Sequence, residues 1–347
     1  MRVVIHDPYL DTLGGGEKYV LAVASYFLKK NCSVDIIFNQ KIEKSLLLER
    51  FRLPVEKINI IDIDINKLSI IQKYLFFRKY DYSFIVSDGS VPLPFSGKNF
   101  LHFQVPFNKQ RVSLLDKLKL KLFDTVVVNS SFTKKIIDKT YSINSAILFP
   151  PVTIFKKSNK KNLIISIGRF NAQLNSKRQD VLIEAFKIFS KTNKYSRLAL
   201  IGGISKKETM YLDKLRSQAK GYKIDFYPNI SMAELSKLIS QSQLYWHAAG
   251  FDCKESDPEN FEHFGISILE AASAGAVPLV YNGGGPKEFI IEGENGYFYT
   301  NVSELAAKSS TVMQNKKILD KLSKHAQLTA KKYSLEEFYS NAQEIFK

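Results

Sequence analysis

The sequence predicts two α/β domains in tandem, each a parallel sheet wrapped by helices, a Rossmann-like architecture. Three observations predict it. Apolar, β-rich runs alternate with periodic charged segments through most of the chain. These runs are continuously apolar, as strands buried on both faces require. The alternation pauses once, at FPPVTIFKKSNKKN (149–162), and then restarts. At 347 residues the chain suits two domains of ordinary size.

In the first half, VVIH (3–6), VDIIF (34–38), YSFIVS (82–87), NFLHF (99–103) and TVVVN (125–129) are the strand candidates. EKYVLAVASYFLKK, from Glu17, reads as a helix between the first two, and Ser130 with Ser131 can cap the helix FTKKIID. Pro150 and Pro151 forbid helix, and the lysine-rich remainder reads as a linker. The expected domains are therefore 1–155 and 156–333. The final helix, 334–347, is expected to pack back on the first domain.

The second half repeats the pattern: NLIISIG, the helix KRQDVLIEAFKIFSK, SRLALIGG, KIDFY, LYWHAA and AVPLVYN (276–282), the last strand candidate. Ser231 with Glu234 three residues on is a capping box ahead of another helix. Strand ends from both sheets are expected to face a cleft between the domains, where open α/β sheets bind ligands.

Composition narrows the function classes. A net charge of +16 is spread evenly, with 22 basic and 14 acidic residues up to Pro150 and 28 and 20 after it. That spread, with no zinc-finger spacing, RNP-like box or Arg-rich helix, argues against a nucleic-acid partner. No apolar run approaches the roughly 18–20 residues of a membrane span, and Met1 opens no charged-then-apolar signal segment. Cys32 and Cys253 form no metal-ligand spacing, which suits a reducing, cytoplasmic setting. Two segments mix basic and apolar residues: KLSIIQKYLFFRKY from Lys67 and RVSLLDKLKLKLF from Arg111. In the second, Leu114, Leu115, Leu118 and Leu122 share a helical face beside Lys117 and Lys121. It is either an ordinary surface helix packed on its own sheet or an interfacial helix resting on anionic lipid.

The chemistry centres on EHFGISILEAASAGAVPLVYNGGGPKE (262–288), which places Glu262 and Glu270 on either side of a glycine-led helix start. Backbone N–H groups at this helix start lack intrahelical partners and face outward with the positive end of the helix dipole, a site for a diphosphate. The carboxylates can then reach opposite ends of a sugar joined through phosphates to a nucleoside. Arg169, just past a strand end, and Lys177 or Arg178, at the next helix start, can neutralise a leaving diphosphate. LGGGEKYV (13–20) lets the backbone approach a ligand at Gly14, Gly15 and Gly16, but lacks the GxGxxG spacing of a dinucleotide fold. His102 near a strand end can bond a sugar hydroxyl or sit satisfied in the core; His6 and His247 are weaker candidates, and His263 can shape the turn beside Glu262. The histidines show no metal spacing, and Asp62 with Asp64 reads as outward-facing strand alternation, so no metal or other cofactor is expected.

Together these residues resemble the GT-B glycosyltransferases of family 4, the retaining group 1 transferases. The resemblance covers almost the whole chain through Gly14–Gly16, VNSSFTKKII, GRF at 168–170, KRQDVLIEAF and the 262–288 segment, and lies nearest the mannosyltransferase branch that extends dolichol-linked glycans. It implies a GT-B fold of two Rossmann-like domains. It also implies that Gly15 and Gly16 contact the donor phosphate, that Arg169 and Lys177 bind the diphosphate, and that Glu270 holds the ribose hydroxyls. Glu262 would contact the transferred sugar, with the N–H groups at Phe264–Ile266 near it and His102 beneath it. The loop between Arg169 and Lys177 is longer than in the compact pattern, and FDCKESDPENF (251–261) is a long acidic stretch where many relatives are shorter. The activity so implied is transfer of a hexose, mannose first, from a GDP- or UDP-linked donor to a lipid-linked or glycan acceptor at the cytosolic membrane face, without metal. A nucleotide-sugar epimerase of the same fold and a non-catalytic sugar- or lipid-binding module are the alternatives.

Overall fold

The computed structural model describes residues 1–10, 14–39, 44–171, 177–205 and 208–347. The chain divides into two compact units, Met1–Pro151 with Leu335–Lys347, and Val152–Ser334.

The first unit opens with β1 (Arg2–His6), α1 (Gly15–Lys29), β2 (Ser33–Phe38), α2 (Lys44–Phe51) and β3 (Asn59–Asp62). It continues through α3 (Ile70–Phe77), β4 (Tyr82–Val86), β5 (Lys98–Phe103), α4 (Leu114–Leu120), β6 (Thr125–Val128), α5 (Ser131–Tyr141) and β7 (Ala146–Ile147). The seven strands run parallel in the order β3-β2-β1-β4-β5-β6-β7. The order reverses between β1 and β4, the switch point of a doubly wound sheet. Period-two alternation divides the core. Val3, Ile5, Phe84 and Val86 pack with α1 on one face. Val4 and Ile37 pack with Phe77 on the other, where Ile85 and Leu101 also meet Leu120 and Phe123. The IDIDI stretch departs from strand alternation halfway. β3 stops at Asp62, and Asp64 instead caps a short turn by accepting from the Asn66 N–H at 3.0 Å.

The second unit comprises β8 (Leu163–Ile167), α6 (Gln179–Phe189), β9 (Arg197–Gly202), α7 (Thr209–Gln218), β10 (Ile224–Pro228) and α8 (Met232–Gln241). Then follow β11 (Leu244–His247), α9 (Ile266–Ser273), β12 (Val277–Tyr281), β13 (Tyr297–Tyr299), α10 (Val302–Gln314) and α11 (Lys316–Lys331). Its six strands are parallel in the order β10-β9-β8-β11-β12-β13. β13 lies beyond the last strand legible in sequence; three residues, Tyr-Phe-Tyr, are too short to show a period.

Residues 148–162 have no regular structure, yet their start in the second unit is anchored rather than loose. The Phe155 N–H donates to Ser273 Oγ at 2.8 Å, and Lys160 Nζ donates to the Ala274 carbonyl at 2.7 Å. The last carbonyls of a helix such as α9 lack intrahelical donors, and a lysine ammonium satisfies one of them. The C-terminal helix α12 (Leu335–Ile345) belongs to the first unit, where Tyr339 shares a hydrogen bond of 2.9 Å with Ser25 of α1. Phe346, just past α12, meets Phe100 edge-on at 4.8 Å.

Candidate donor site

The second unit builds the site around the N-terminus of α9. Gly265 is its N-cap with φ of 113°, a left-handed conformation that a side chain would strain, and no side chain caps the helix there. Ser267 on the first turn shares a 2.8 Å hydrogen bond with Tyr245 of β11, whose hydroxyl also donates to the Ile167 carbonyl at the end of β8. The helix start is thereby fastened to the C-terminal end of β8 and to the adjacent strand β11. The glycines of NGGGPKE serve the same turn. A Cβ at Gly285 would lie 2.1 Å from the His263 carbonyl oxygen, and its N–H donates to the Glu262 carbonyl at 2.7 Å. Two motifs separated in sequence are therefore one piece of packed backbone.

Glu262, immediately before this turn, is the charged centre. Its Oε2 accepts from Lys177 Nζ at 2.8 Å and from His247 Nε2 at 2.7 Å. Burial pushes the carboxyl upward, but the Lys177 charge, then the His247 hydrogen bond and charge, outweigh it and hold the group well below the usual carboxylate range. Glu262 is therefore ionised, and His247 Nε2 carries the proton in their bond. His247 is buried at the end of β11, its carbonyl accepts from Tyr299 Oη at 2.9 Å, and its Nδ1 is buried without a hydrogen bond.

The sequence left Lys177 and Arg178 as alternatives, and geometry separates them. Arg178 adopts φ of 48° as the N-cap of α6, and its guanidinium engages other groups. Nε reaches Asp180 at 3.2 Å and Nη1 donates to the Phe251 carbonyl at 2.7 Å. Arg169 is exposed just past β8, and its carbonyl accepts from Gln179 Nε2 at 2.9 Å. The extra length of the loop between Arg169 and Lys177 falls on 172–176, outside the described residues. Glu270, on α9, accepts from the Thr153 N–H at 3.3 Å. The acidic 251–261 stretch is fixed at both ends: the Phe251 ring packs tilted against Tyr281 at 5.4 Å, while Pro258 and Phe261 are buried.

The structure brings His247, a weaker candidate in the sequence, to Glu262. Fourteen residues separate it from Glu262, and only the strand end and the folded-back 251–261 loop bring them together. His263, beside Glu262, instead lies 3.2 Å from the Glu259 carbonyl through Nε2.

In the first unit the glycine loop opens α1. The Gly14 N–H donates to Glu17 at 2.5 Å, and Gly15 begins the helix. A Cβ at Gly16 would press on Gln104 Oε1 at 2.5 Å. His102 is fully buried near the end of β5, stacked on Tyr19 at 4.4 Å. Burial pulls its pKa down to about 3, against the pull of the Val127 carbonyl. Because a carbonyl only accepts, Nδ1 carries the hydrogen of the 3.1 Å contact with Val127, and Nε2 is left as an acceptor without a partner. His102 is thus a neutral acceptor, stacked as in a core yet unsatisfied.

These features define a class. Over 100% of its length the chain resembles a solved glycosyltransferase from Rickettsia africae ESF-5, at a TM-score of 0.77 and 18% identity, covering 97% of that chain. With the two parallel sheets, this likeness defines a GT-B fold. The profile of the family described as glycosyl transferases group 1 matches residues 153–329, about half of the chain, and the chain belongs to that family.

Curated relatives named GDP-Man:Man(3)GlcNAc(2)-PP-Dol alpha-1,2-mannosyltransferase include those of Xenopus tropicalis and Dictyostelium discoideum. That of Xenopus tropicalis is 30% identical over 210 residues, 55% of this chain and 41% of the relative. That of Dictyostelium discoideum is 25% identical over 236 residues, 61% and 45%. The chain spans less than half the length of either relative it matches.

Proposed function

We propose that this chain is a retaining mannosyltransferase that moves mannose from GDP-mannose to a lipid-linked glycan, working peripherally at the cytosolic face of a membrane. The observation that carries the reading is the Lys177–Glu262–His247 cluster at the uncapped start of α9. It sets a cation, an ionised carboxylate and a positive helix end within one short stretch of structure. A sugar diphosphate needs the same three groups as its glycosidic bond breaks. GDP and mannose are favoured over a UDP-linked sugar because both relatives are named for GDP-Man. Among the described residues no helix is long and apolar enough to cross a membrane.

In this reading Arg169 and Lys177 meet the diphosphate, with the N–H groups at Phe264, Gly265 and Ile266. Glu270 holds the ribose hydroxyls, and Glu262 receives the mannose hydroxyls. The bond from the anomeric carbon to the diphosphate oxygen breaks as the acceptor oxygen bonds to the same face, and the acceptor proton passes to the departing diphosphate. Counter-charge comes from protein cations and the helix end, so no metal or other cofactor takes part in the proposed reaction.

The test is a thermal-shift panel of GDP, UDP, GDP-mannose, UDP-glucose and UDP-N-acetylglucosamine. A ligand at a hundred times its Kd stabilises the folded state by about 2.7 kcal/mol. GDP and GDP-mannose should raise Tm selectively. A shift with the uridine set alone would overturn the donor assignment.

A further inference from the structure

We propose that the face of the first unit formed by α3, α4 and the loop between β4 and β5 is a docking surface for an anionic phospholipid bilayer. This deepens the lipid-linked acceptor reading and rests on it for its purpose, but its test is independent of catalysis.

The two helices cover the same face of the sheet. Phe77 at the end of α3 packs with Val4 and Ile37, while Leu120 at the end of α4 packs with Ile85 and Leu101. The β4–β5 loop joins them. Phe95 meets Tyr74 of α3 edge-on at 5.7 Å, and the Val91 carbonyl accepts from Lys119 of α4 at 3.1 Å. Each helix therefore buries one end and turns the rest outward. On α3, Ile70, Ile71, Tyr74 and Leu75 are between 46% and 67% exposed. On α4 and just past it, Leu114, Leu115, Leu118 and Leu122 are between 52% and 76% exposed. With Leu93 in the loop, this face holds nine of the 19 large apolar side chains exposed among the described residues. Such a concentration is a binding surface rather than ordinary surface chemistry.

Charge selects the occupant. Residues 67–79 carry Lys67, Lys73, Arg78 and Lys79 with no acid among them. Residues 109–121 carry five further basic residues and one acid, Asp116, which pairs with Lys119 at 3.2 Å. A second copy of this chain would set like charge against like on such a face. A bilayer with anionic headgroups instead receives the leucines in its acyl boundary and leaves the lysine ammonium groups at the phosphates. Each lysine near an anionic surface is worth about fivefold in binding.

The experiment is vesicle co-sedimentation of the full chain with light scattering in parallel. The wild type should sediment with phosphatidylcholine vesicles containing phosphatidylserine, less with phosphatidylcholine alone, and should be released by salt. Leu115→Ser with Leu118→Ser, and separately Ile71→Ser with Leu75→Ser, should weaken binding about tenfold or more. Lys117→Glu with Lys121→Glu should weaken it at least about 25-fold. All six side chains point away from the core, so melting temperatures should stay at the wild-type value. Failure of the wild type to bind anionic vesicles, or undiminished binding by all three variants, overturns the proposal. So does a lipid-free dimer that Leu115→Ser with Leu118→Ser dissolves, which would make the face a self-association surface. Transfer to a water-soluble short-chain acceptor reads the other proposal separately: the variants should retain it, and its absence from a wild type that binds vesicles refutes the transferase reading alone.

Discussion

Replacing Lys177 by Met tests the charged centre of the site through stability, without any substrate. Lys177 and His247 share one oxygen of Glu262, at 2.8 and 2.7 Å. A charge-assisted hydrogen bond is worth about 1.5–3 kcal/mol, and stripping a partner from a fully buried pair costs about 3–5 kcal/mol. Here the Lys177 and Glu262 side chains keep 21% and 15% exposure and His247 remains, so the loss belongs near the lower figure, about 2 kcal/mol. For a unit of this size that lowers Tm by about 4–8 °C. The loss should depend on Glu262. In a Glu262→Gln background, Lys177→Met should cost about 0.5 kcal/mol or less, because no carboxylate charge is left unpaired. It should also depend on pH with a fixed sign. The folded-state pKa of Glu262 lies below its unfolded value of about 4.3, so the stabilisation is complete above about pH 5 and fades as pH falls below that value. Scanning calorimetry of the four proteins across acid pH reads both effects. Equal losses from Lys177→Met with Glu262 present and absent would refute the reasoning.

Further outcomes follow from the same geometry. Glu270→Ala should weaken GDP binding by about 1.5–3 kcal/mol in titration calorimetry, about tenfold to a hundredfold, if the carboxylate holds the ribose. Gly285→Ala should destabilise the second unit by about 1–3 kcal/mol in thermal melting, because its Cβ would lie 2.1 Å from a backbone oxygen that cannot swing aside. Phe346→Ala should cost about 3–5 kcal/mol, as the ring is 4% exposed against Phe100 and Phe27, and should loosen the first unit preferentially in hydrogen exchange. His102, held near 3, and His6, near 4, stay neutral when folded and charge on unfolding. Stability should therefore fall as pH drops from about 6.5 toward 4, with proton uptake measured on melting, and replacing His102 by Gln should lessen that uptake.

Much of the fold was legible because it is written locally. Continuous apolar runs marked the buried parallel strands, and Ser130 and Ser231 cap their helices through their own hydroxyls, as their spacing foretold. The 262–288 segment was legible because glycine and helix start lie side by side. What escaped depends on contacts distant in sequence or on single dihedral angles. His247 reaches Glu262 only because an intervening loop folds back. Lys177 pairs with Glu262 while Arg178, left-handed at φ of 48°, engages Asp180 and the Phe251 carbonyl, a division that two adjacent cations in sequence do not show. β7 and β13 have two and three residues, too few for any pattern. Helical periodicity grouped the leucines of α4 on one face, but could not say that the sheet would leave that face uncovered.

The anomeric configuration of the product formed from GDP-α-mannose and a lipid-linked glycan acceptor, read by NMR with the released nucleotide counted, decides whether the chain is a retaining mannosyltransferase. A retaining mannosyltransferase gives an α-mannoside, one GDP per mannose transferred, and loss of turnover in Lys177→Met. A β-mannoside, or a free epimerised sugar nucleotide formed without acceptor, would contradict that reading.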